Sequence, residues 1–459
     1  MKKSVKPALT GILIAIMCIA AGVFAYRFWT QRESRYEEMT EDRPSGSESV
    51  RLEVVTTFAA NDGNALNYKN GYHEWERLTG NTVYDKSVLS DNSFKMRVLT
   101  DFETDSEPDV LFFFVGVDAN PFIEAGKVVS IDEIRSVYPE YADNMILDQI
   151  PVSPVDGKTY AVPVNGYWEA LFVNRDILKA AGVDMPGADY TWGRFIADCQ
   201  KIKDAGYTPI AASLGNIPHY WWEVCVFNHT SPQSHLTIPG GAGSEAGQAW
   251  TAGLEDLRFL YQAGFFPWNT LSATDDETFK MFMNGKAAFL VDGSWKLGGI
   301  VSACQTDPDD EATLDEAKLG KFDITFAPAK GERVASDLIG GMSMGYYITR
   351  KAWNNPVKRE AAVSFITHMT SDEMVTQFSR YTSNVLKNDD QPAADEEVGN
   401  SLEKKARRMI ENSTSLTGAV QDIIKEEGKT AIFEGLTGVL NGSRTSEELV
   451  EESLRVYIW

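Results

Sequence analysis

The stretch Asp292-Gly293-Ser294-Trp295 places an aromatic ring beside a carboxylate, directly after the apolar run Ala287–Val291. A continuous apolar run is typical of a strand that is covered on both faces. In open α/β sheets, ligands bind at the carboxyl ends of such strands. A tryptophan there is suited to stacking on the apolar face of a sugar ring. Packing of Trp295 in the core is the alternative, because tryptophan is mostly buried.

A second aromatic loop, Gly215–Trp222 (GNIPHYWW), follows the predicted strand Pro209–Leu214. His219 in this loop has the chemistry of a general base, a metal ligand or a hydrogen-bond donor. Its place among aromatic residues favours contact with a ligand over catalysis. An ordinary packed histidine is the alternative.

Several catalytic and cofactor motifs are absent from the sequence. His73-Glu74 lacks the second histidine of HExxH, and no GxSxG occurs. The glycine-rich stretch 238–247 fits neither a P-loop nor GxGxxG, and the cysteines form no CxxC pair. We therefore expect no catalytic residue, no metal and no cofactor. Carboxylates are abundant, so the sequence does not exclude a pair suited to glycoside hydrolysis.

Composition indicates a large folded protein with an acidic surface. The chain has 459 residues, 43% of them hydrophobic, and a formal net charge of −23. The length is typical of two or three domains, or of one large two-lobed protein. The negative charge argues against a nucleic-acid partner, because binding to phosphates requires a basic face.

The N-terminus predicts attachment to a membrane. Residues 1–29 combine three lysines with an apolar run close to the roughly 20 residues that span a bilayer. We interpret them as an uncleaved anchor, with a cleaved signal or a lipoprotein signal as alternatives. Residues 30–49 are polar and charged, as in a flexible stalk. Either way, the body lies outside the cytoplasm, tethered to the outer face of the membrane or secreted if the segment is cleaved.

The body alternates between predicted strands and helices from Arg51 onward. Examples are the apolar strand Val110–Val115 and the helix that begins after Thr191. This alternation predicts βαβ units and an α/β fold with largely parallel sheets.

The order of several segments resembles the extracellular solute-binding proteins of ABC sugar importers, the family typified by maltose-binding protein. No single motif is specific, but their order and spacing together are. The segments are Pro108-Asp109-Val110 with Ala125–Val128, Phe172–Leu178, Gly182 with Pro186 and Thr191-Trp192, Phe282–Ala288 with Asp292–Trp295, and Gly340-Gly341 with Tyr346–Ile348.

The resemblance implies a two-lobed, periplasmic-binding-protein-like fold of type II, each lobe a mostly parallel sheet flanked by helices. Ligand binds in the cleft between the lobes, which close on it by hinge motion. We place lobe 1 at 51–162 and 286–334, and lobe 2 at 163–285 and 335–459. Gly285 would then mark a crossing between the lobes.

The resemblance also implies the ligand contacts. Polar groups and rings together suit a sugar, which has apolar C–H faces and a rim of hydroxyls. Tyr167 and Trp168 are weaker candidates near a crossing. The predicted ligand-binding residues are Asn61, Asp62, Phe114, Asp118, His219, Tyr220, Trp222 and Trp295.

The implied function is that of a receptor without catalytic turnover. It would bind a mono- or oligosaccharide and deliver it to the membrane permease subunits of an ABC importer, and we expect a monomer. Two alternatives remain: a cell-surface glycoside hydrolase, and a sensory sugar co-receptor for a histidine kinase.

Overall fold

The computed structural model describes residues 49–59, 62–89, 92–307, 310–388 and 399–458. The predicted anchor at 1–29 and nearly all of the predicted stalk at 30–49 lie outside the described residues. Within the described ranges, no helix combines the length and the apolar character that crossing a membrane requires.

The strands, in chain order, are β1 Arg51–Val55, β2 Thr82–Asp85, β3 Val110–Phe114, β4 Tyr167–Asn174, β5 Thr208–Ile210, β6 Ala287–Gly293, β7 Phe322–Thr325, β8 Asp337–Gly341, β9 Met344–Ile348 and β10 Ser415–Thr417.

The helices are α1 Ala65–Thr79, α2 Asn92–Glu103, α3 Asn120–Glu124, α4 Ile131–Arg135, α5 Arg175–Ala180, α6 Trp192–Asp204, α7 His219–Phe227, α8 Glu245–Gln262, α9 Asp275–Met283, α10 Lys296–Ala303, α11 Glu316–Leu319, α12 Arg350–Asn354, α13 Pro356–Met369, α14 Asp372–Phe378, α15 Ser401–Glu411, α16 Glu426–Asn441 and α17 Ser446–Ile458. Short 3₁₀ turns occupy Gly116–Ala119, Glu311–Thr313 and Val420–Asp422.

The strands form two sheets, and each sheet is the centre of one lobe. The first has the order β2-β1-β3-β9, with β9 antiparallel to β3 and the other pairs parallel. Its apolar core is drawn from 50–164 and 342–386. We call this part the first lobe.

The second lobe is built on the sheet β10-β8-β4-β6-β5, with β7 also paired to β4. Its core is drawn from 168–339 and 381–454. This sheet is mixed and not mostly parallel, because β4 runs antiparallel to β6, β7 and β8. The predicted α/β class with two lobes is confirmed, and the strand directions of the second sheet differ from the prediction.

The predicted division of the chain between the lobes is wrong after Gly285. The strand β6 pairs with β4 and β5, so 286–334 belongs to the second lobe. The strand β9 pairs with β3, so 342–388 returns to the first lobe. Gly285 marks no crossing: Phe282 before it and Leu290 after it lie in one core cluster. An apolar run shows that a strand is buried but not which sheet buries it.

The chain crosses between the lobes at 165–166 and at 342–343, and the segment that follows Phe378 runs beside these crossings. The backbone N–H of Gly166 donates to the carbonyl of Ser383 at 3.1 Å. A Cβ at Gly166 would lie 2.9 Å from the carbonyl oxygen of Gly341 and 2.8 Å from Ser383 Cβ. The Trp168 indole donates to the Tyr381 carbonyl at 2.8 Å. Adjacent crossings of this kind form a hinge.

Candidate functional site

The lobes meet at a buried ion pair that involves Asp118. Asp118 lies in the 3₁₀ turn after β3 in the first lobe. Its carboxylate accepts from Lys95 Nζ of the same lobe at 2.7 Å and from Lys429 Nζ of α16 in the second lobe at 2.9 Å. Burial would raise the pKa of Asp118, but the two lysines outweigh burial and hold the pKa below its usual value. Asp118 therefore lies at the junction of the lobes with its charge neutralised by lysines, and its contact with a ligand stays a prediction.

Phe114 forms part of the first-lobe wall beside this pair. It ends β3 and is partly buried. Lys95 Nζ lies 3.9 Å from the centre of its ring, within the range of a cation–π contact. This contact fixes the Phe114 ring and the Lys95 ammonium group relative to one another.

The loop after β1 approaches the second lobe closely. Asn61 lies outside the described residues. Asp62 Oδ1 accepts from the backbone N–H of Asn64 at 2.8 Å, and burial raises the pKa of Asp62 to about 7. The next residue, Gly63, lies against Gly298 of α10: a Cβ at Gly63 would lie 3.3 Å from the Gly298 backbone nitrogen. The first-lobe loop is therefore in contact with a second-lobe helix.

The opposite wall, in the second lobe, is a cluster of rings that we call the aromatic wall: Tyr167, Tyr220 and Trp295. The Trp295 ring centre lies 5.8 Å from that of Tyr220 and 6.3 Å from that of Tyr167. All three side chains are partly exposed. Trp295 follows the carboxyl end of β6, where the sequence predicted a ligand contact. The aromatic wall has the character of a platform for sugar rings.

His219 begins α7 behind the aromatic wall. Its ring centre lies 4.1 Å from that of Tyr220 and 5.9 Å from that of Phe433. Burial, with the charges of Lys95 and Lys429, lowers the pKa of His219 to about 3. The imidazole is therefore neutral at pH 7. Among the described residues, no group of histidine, cysteine and carboxylate side chains is arranged to hold a metal ion.

Two predicted contacts are core residues instead. The Trp222 side chain is 1% exposed and packs edge-to-face on Trp250, with ring centres 5.3 Å apart. The side chain of Trp168 is fully buried. The loop GNIPHYWW turns into a helix at His219, so its adjacent aromatic residues point in different directions around the helix axis. Periodicity in so short a segment did not reveal this.

Carboxylates surround the aromatic wall, and of these only Asp292 was noted in the sequence, as the neighbour of Trp295. The Tyr167 hydroxyl donates to Asp422 at 3.2 Å. Burial raises the pKa of Tyr220, and the charges of Asp292, Asp275 and Glu169, with Asp422, add to this rise. Glu169 and Asp292 did carry a sequence signal, since each is a charged residue beside an apolar strand. Asp422, Lys95 and Lys429 carried none.

The turn that holds Asp422 is fixed from below by Glu223. This fully buried carboxylate of α7 accepts from the backbone N–H groups of Val420 at 3.0 Å and Gln421 at 2.8 Å. It also contacts His235 Nε2 at 3.1 Å. These hydrogen bonds fix the turn that carries Asp422 beside Tyr167.

The perturbed carboxylates predict an unusual pH dependence of stability. Burial raises the pKa of Asp62 and of Asp292 to about 7 and that of Asp422 to about 6. Between these values and the usual 3.8, the folded state binds more protons than the unfolded state, so stability rises as pH falls. The lowered pKa of His219 makes stability fall as pH falls below 6.5. Only this one group acts in that direction, whereas three carboxyl groups act in the other. We expect a higher melting temperature at pH 5.5 than at pH 8.

The control is the Asp62→Asn variant, in which one of these groups no longer titrates. Its melting temperature should change less between pH 8 and pH 5.5. A wild-type melting temperature that falls on acidification over this range would contradict the assignment of raised pKa values.

The sequence matches the model of the bacterial extracellular solute-binding protein family over residues 62–376. A stretch of 85 residues is 31% identical to a putative binding protein of Brucella abortus and spans 18% of this chain and 20% of that relative. The match thus covers about a fifth of the relative's length.

Solved structures share the whole architecture. A chitin oligosaccharide binding protein superposes with a TM-score of 0.74 at 20% identity and covers 90% of this chain and 99% of that one. The maltose/maltodextrin-binding domain from Bdellovibrio bacteriovorus, bound to maltotriose, gives a TM-score of 0.64 at 18% identity, over 89% and 99% of the two chains. At these identities the similarity shows the fold.

Proposed function

From the premise that the chain belongs to the bacterial extracellular solute-binding protein family, we propose that it is the sugar-binding receptor of an ABC importer. It binds a carbohydrate between its lobes and delivers it to the membrane permease subunits. The observation that carries the proposal is the aromatic wall, in which three partly exposed rings from the start of β4, the start of α7 and the loop after β6 come together.

The chemistry around the aromatic wall suits a polyol. Aromatic rings stack on the apolar C–H faces of a pyranose, and carboxylates accept hydrogen bonds from its hydroxyls. Acceptors stand on both sides of the junction: Asp62 in the first lobe, and Glu169 and Asp422 in the second. A ligand held from both sides favours closure, because it interacts more strongly with the closed state than with the open one.

The proposed receptor has no catalytic turnover. Asp118, which lies centrally at the junction, is bound by two lysines and is therefore poorly placed to exchange a proton with a substrate. Membership of a family of binding proteins supports the same conclusion.

A thermal-shift screen of mono- and oligosaccharides, followed by isothermal titration calorimetry with each hit, tests the proposal. A ligand at 100 times its Kd stabilises the native state by about 2.7 kcal/mol, which is a readily measured shift. We expect saturable binding with one site and no released reducing ends. Release of product would support a glycosidase, and a screen without any stabilising sugar would refute carbohydrate binding.

Trp295→Ala should weaken sugar binding about tenfold with little loss of stability. The ring is partly exposed, and a sugar that stacks on it would lose a contact of about 1.4 kcal/mol, which corresponds to a tenfold change in Kd. Calorimetry with the best sugar of the screen gives the change in Kd. Trp268→Ala serves as the matched control, because this side chain is 96% exposed and should not contribute. Equal affinities for Trp295→Ala and wild type would remove Trp295 from the site.

The proposal places the body outside the cytoplasm, in keeping with the extracellular family. The N-terminal segment 1–29 would tether it near the permease. Deletion of the gene should then abolish uptake of the sugar identified by calorimetry. Uptake that persists while a sugar response is lost would favour the sensory role.

A further inference from the structure

Glu169 is a buried carboxylate beneath the aromatic wall. Its side chain is 3% exposed, and neither of its carboxylate oxygens has a hydrogen-bond partner among the described residues. Leaving a charged or polar group buried without a partner is costly. One reason for a native protein to keep such a group is that a ligand completes its interactions, and the position of Glu169 beneath the aromatic wall makes it a candidate ligand contact.

The sheet geometry directs Glu169 towards the rings. Glu169 is paired across the strands with Gly293, and directly opposed residues in an antiparallel pair project to the same face. A Cβ at Gly293 would overlap the Trp295 ring, so that ring covers the same face. Tyr167 is two residues before Glu169 and shares its face. The carboxylate therefore lies at the base of a site walled by aromatic rings.

The charges around this site are unbalanced. Lys296 pairs with Asp275 and lies 3.7 Å from Asp292, while Lys95 and Lys429 are both held by Asp118. Asp422 has the Tyr167 hydroxyl as a donor. No lysine or arginine forms an ion pair with Glu169 or Asp422 within the part of the chain that the structure describes. The second-lobe side of the junction therefore holds two carboxyl groups, Glu169 and Asp422, that have no ion-pair partner in that part of the chain.

Aromatic rings around carboxyl groups of this kind are suited to a cation. The face of a tyrosine or tryptophan ring attracts an ammonium group, and a buried carboxylate pairs with it. A neutral sugar would supply hydroxyl donors but would leave Glu169 and Asp422 without a cationic partner. We infer that the sugar bound in this cleft is an amino sugar, whose protonated amine pairs with Glu169 beneath the rings of Tyr167 and Trp295. This inference rests on the proposed function and narrows its substrate class.

The test uses a sugar panel in matched triplets at pH 7, where an amine with an ordinary α-amino pKa is mostly protonated and Asp422, with a pKa of about 6, is mostly ionised. Each neutral mono- to tetrasaccharide is paired with its amino and its N-acetylamino counterpart. Thermal shift ranks them with the full-length protein, and calorimetry gives Kd for the best triplet. We expect the amino member to bind at least tenfold more tightly than the other two.

Glu169→Gln is the decisive variant, because it preserves the shape of the side chain and removes its charge. We expect the loss of affinity for the amino sugar to be at least tenfold larger than the loss for the neutral counterpart, which forfeits one hydrogen bond but no ion pair. Asp422→Asn, in the same site, should show the same selective loss, and the melting temperature without ligand verifies that each variant folds.

Three outcomes overturn the inference in distinguishable ways. If the neutral or N-acetylated member binds as tightly as the amino member, the inference fails and the sugar receptor stands. The same holds if Glu169→Gln binds the amino sugar as wild type does. If no member of the panel binds, the inference and the proposed function fail together.

Discussion

Replacing Trp222 with alanine should lower the free energy of unfolding by about 3–5 kcal/mol, the cost typical of removing a large aromatic side chain from a packed core. The ring lies between Trp250 and Phe433, with centres 5.3 and 6.0 Å away. These two neighbours lie on α8 and α16, and Trp222 lies on α7, so the cavity will not close without repacking all three helices. Urea denaturation followed by tryptophan fluorescence gives the change.

The sugar affinity of the folded variant separates the two roles assigned to Trp222. A core residue affects stability, whereas a ligand contact affects Kd. We expect Kd to stay within about threefold of wild type, measured well below the midpoint of unfolding. Trp268→Ala, which removes an exposed tryptophan, should change stability by less than about 0.5 kcal/mol. A large loss of affinity with unchanged stability would restore Trp222 to the binding site.

Gly298→Ala should weaken sugar binding by about a hundredfold or more, because it prevents the lobes from reaching their closed arrangement. A Cβ at Gly298 would overlap the Cα of Gly63. The positions of the added Cβ and of the Gly63 Cα are both set by the backbone, so no side-chain rotation relieves the overlap. Overpacking of this kind costs about 3 kcal/mol, and affinity falls with the fraction of molecules that can close.

Calorimetry and small-angle scattering together test this mechanism. The variant should show a higher Kd and, with sugar present, a larger radius of gyration than wild type. Gly193→Ala is the matched control: it is also a helical glycine, but a Cβ there meets nothing within 4 Å. It should bind as wild type and gain slight stability from the better helix former. A Gly298→Ala protein with wild-type affinity would show that this contact is not part of closure.

Some of the predicted residues lie at the junction of the lobes or in the aromatic wall and others lie in the core, for different reasons. Trp295 lies in the aromatic wall because the ends of buried strands are where an α/β fold exposes side chains to a cleft. Trp222 does not, because the residues of its loop enter a helix and separate around its axis. Both were tryptophans in aromatic stretches, and only the backbone path distinguished them.

The first-lobe residues also show that local sequence patterns do not reveal long-range contacts. Asp118 and Phe114 were identified from the loop after an apolar strand, and both lie at the junction of the lobes. That Asp118 is neutralised by Lys95 and Lys429 was not predictable, since Lys429 is more than 300 residues away along the chain. Charge pairing across such separations depends on how the lobes dock.

The sequence by itself determined the α/β class, the alternation of strands and helices and the family. These follow from local patterns, because burial imposes periodicity on each strand and helix separately. The tertiary structure alone decided which sheet each strand joins, as β6 and β9 show, and which rings reach the cleft. It alone placed Glu169 and Asp422 beneath those rings. Sheet pairing and lobe docking are long-range choices, and nothing in the spacing of neighbouring residues encodes them.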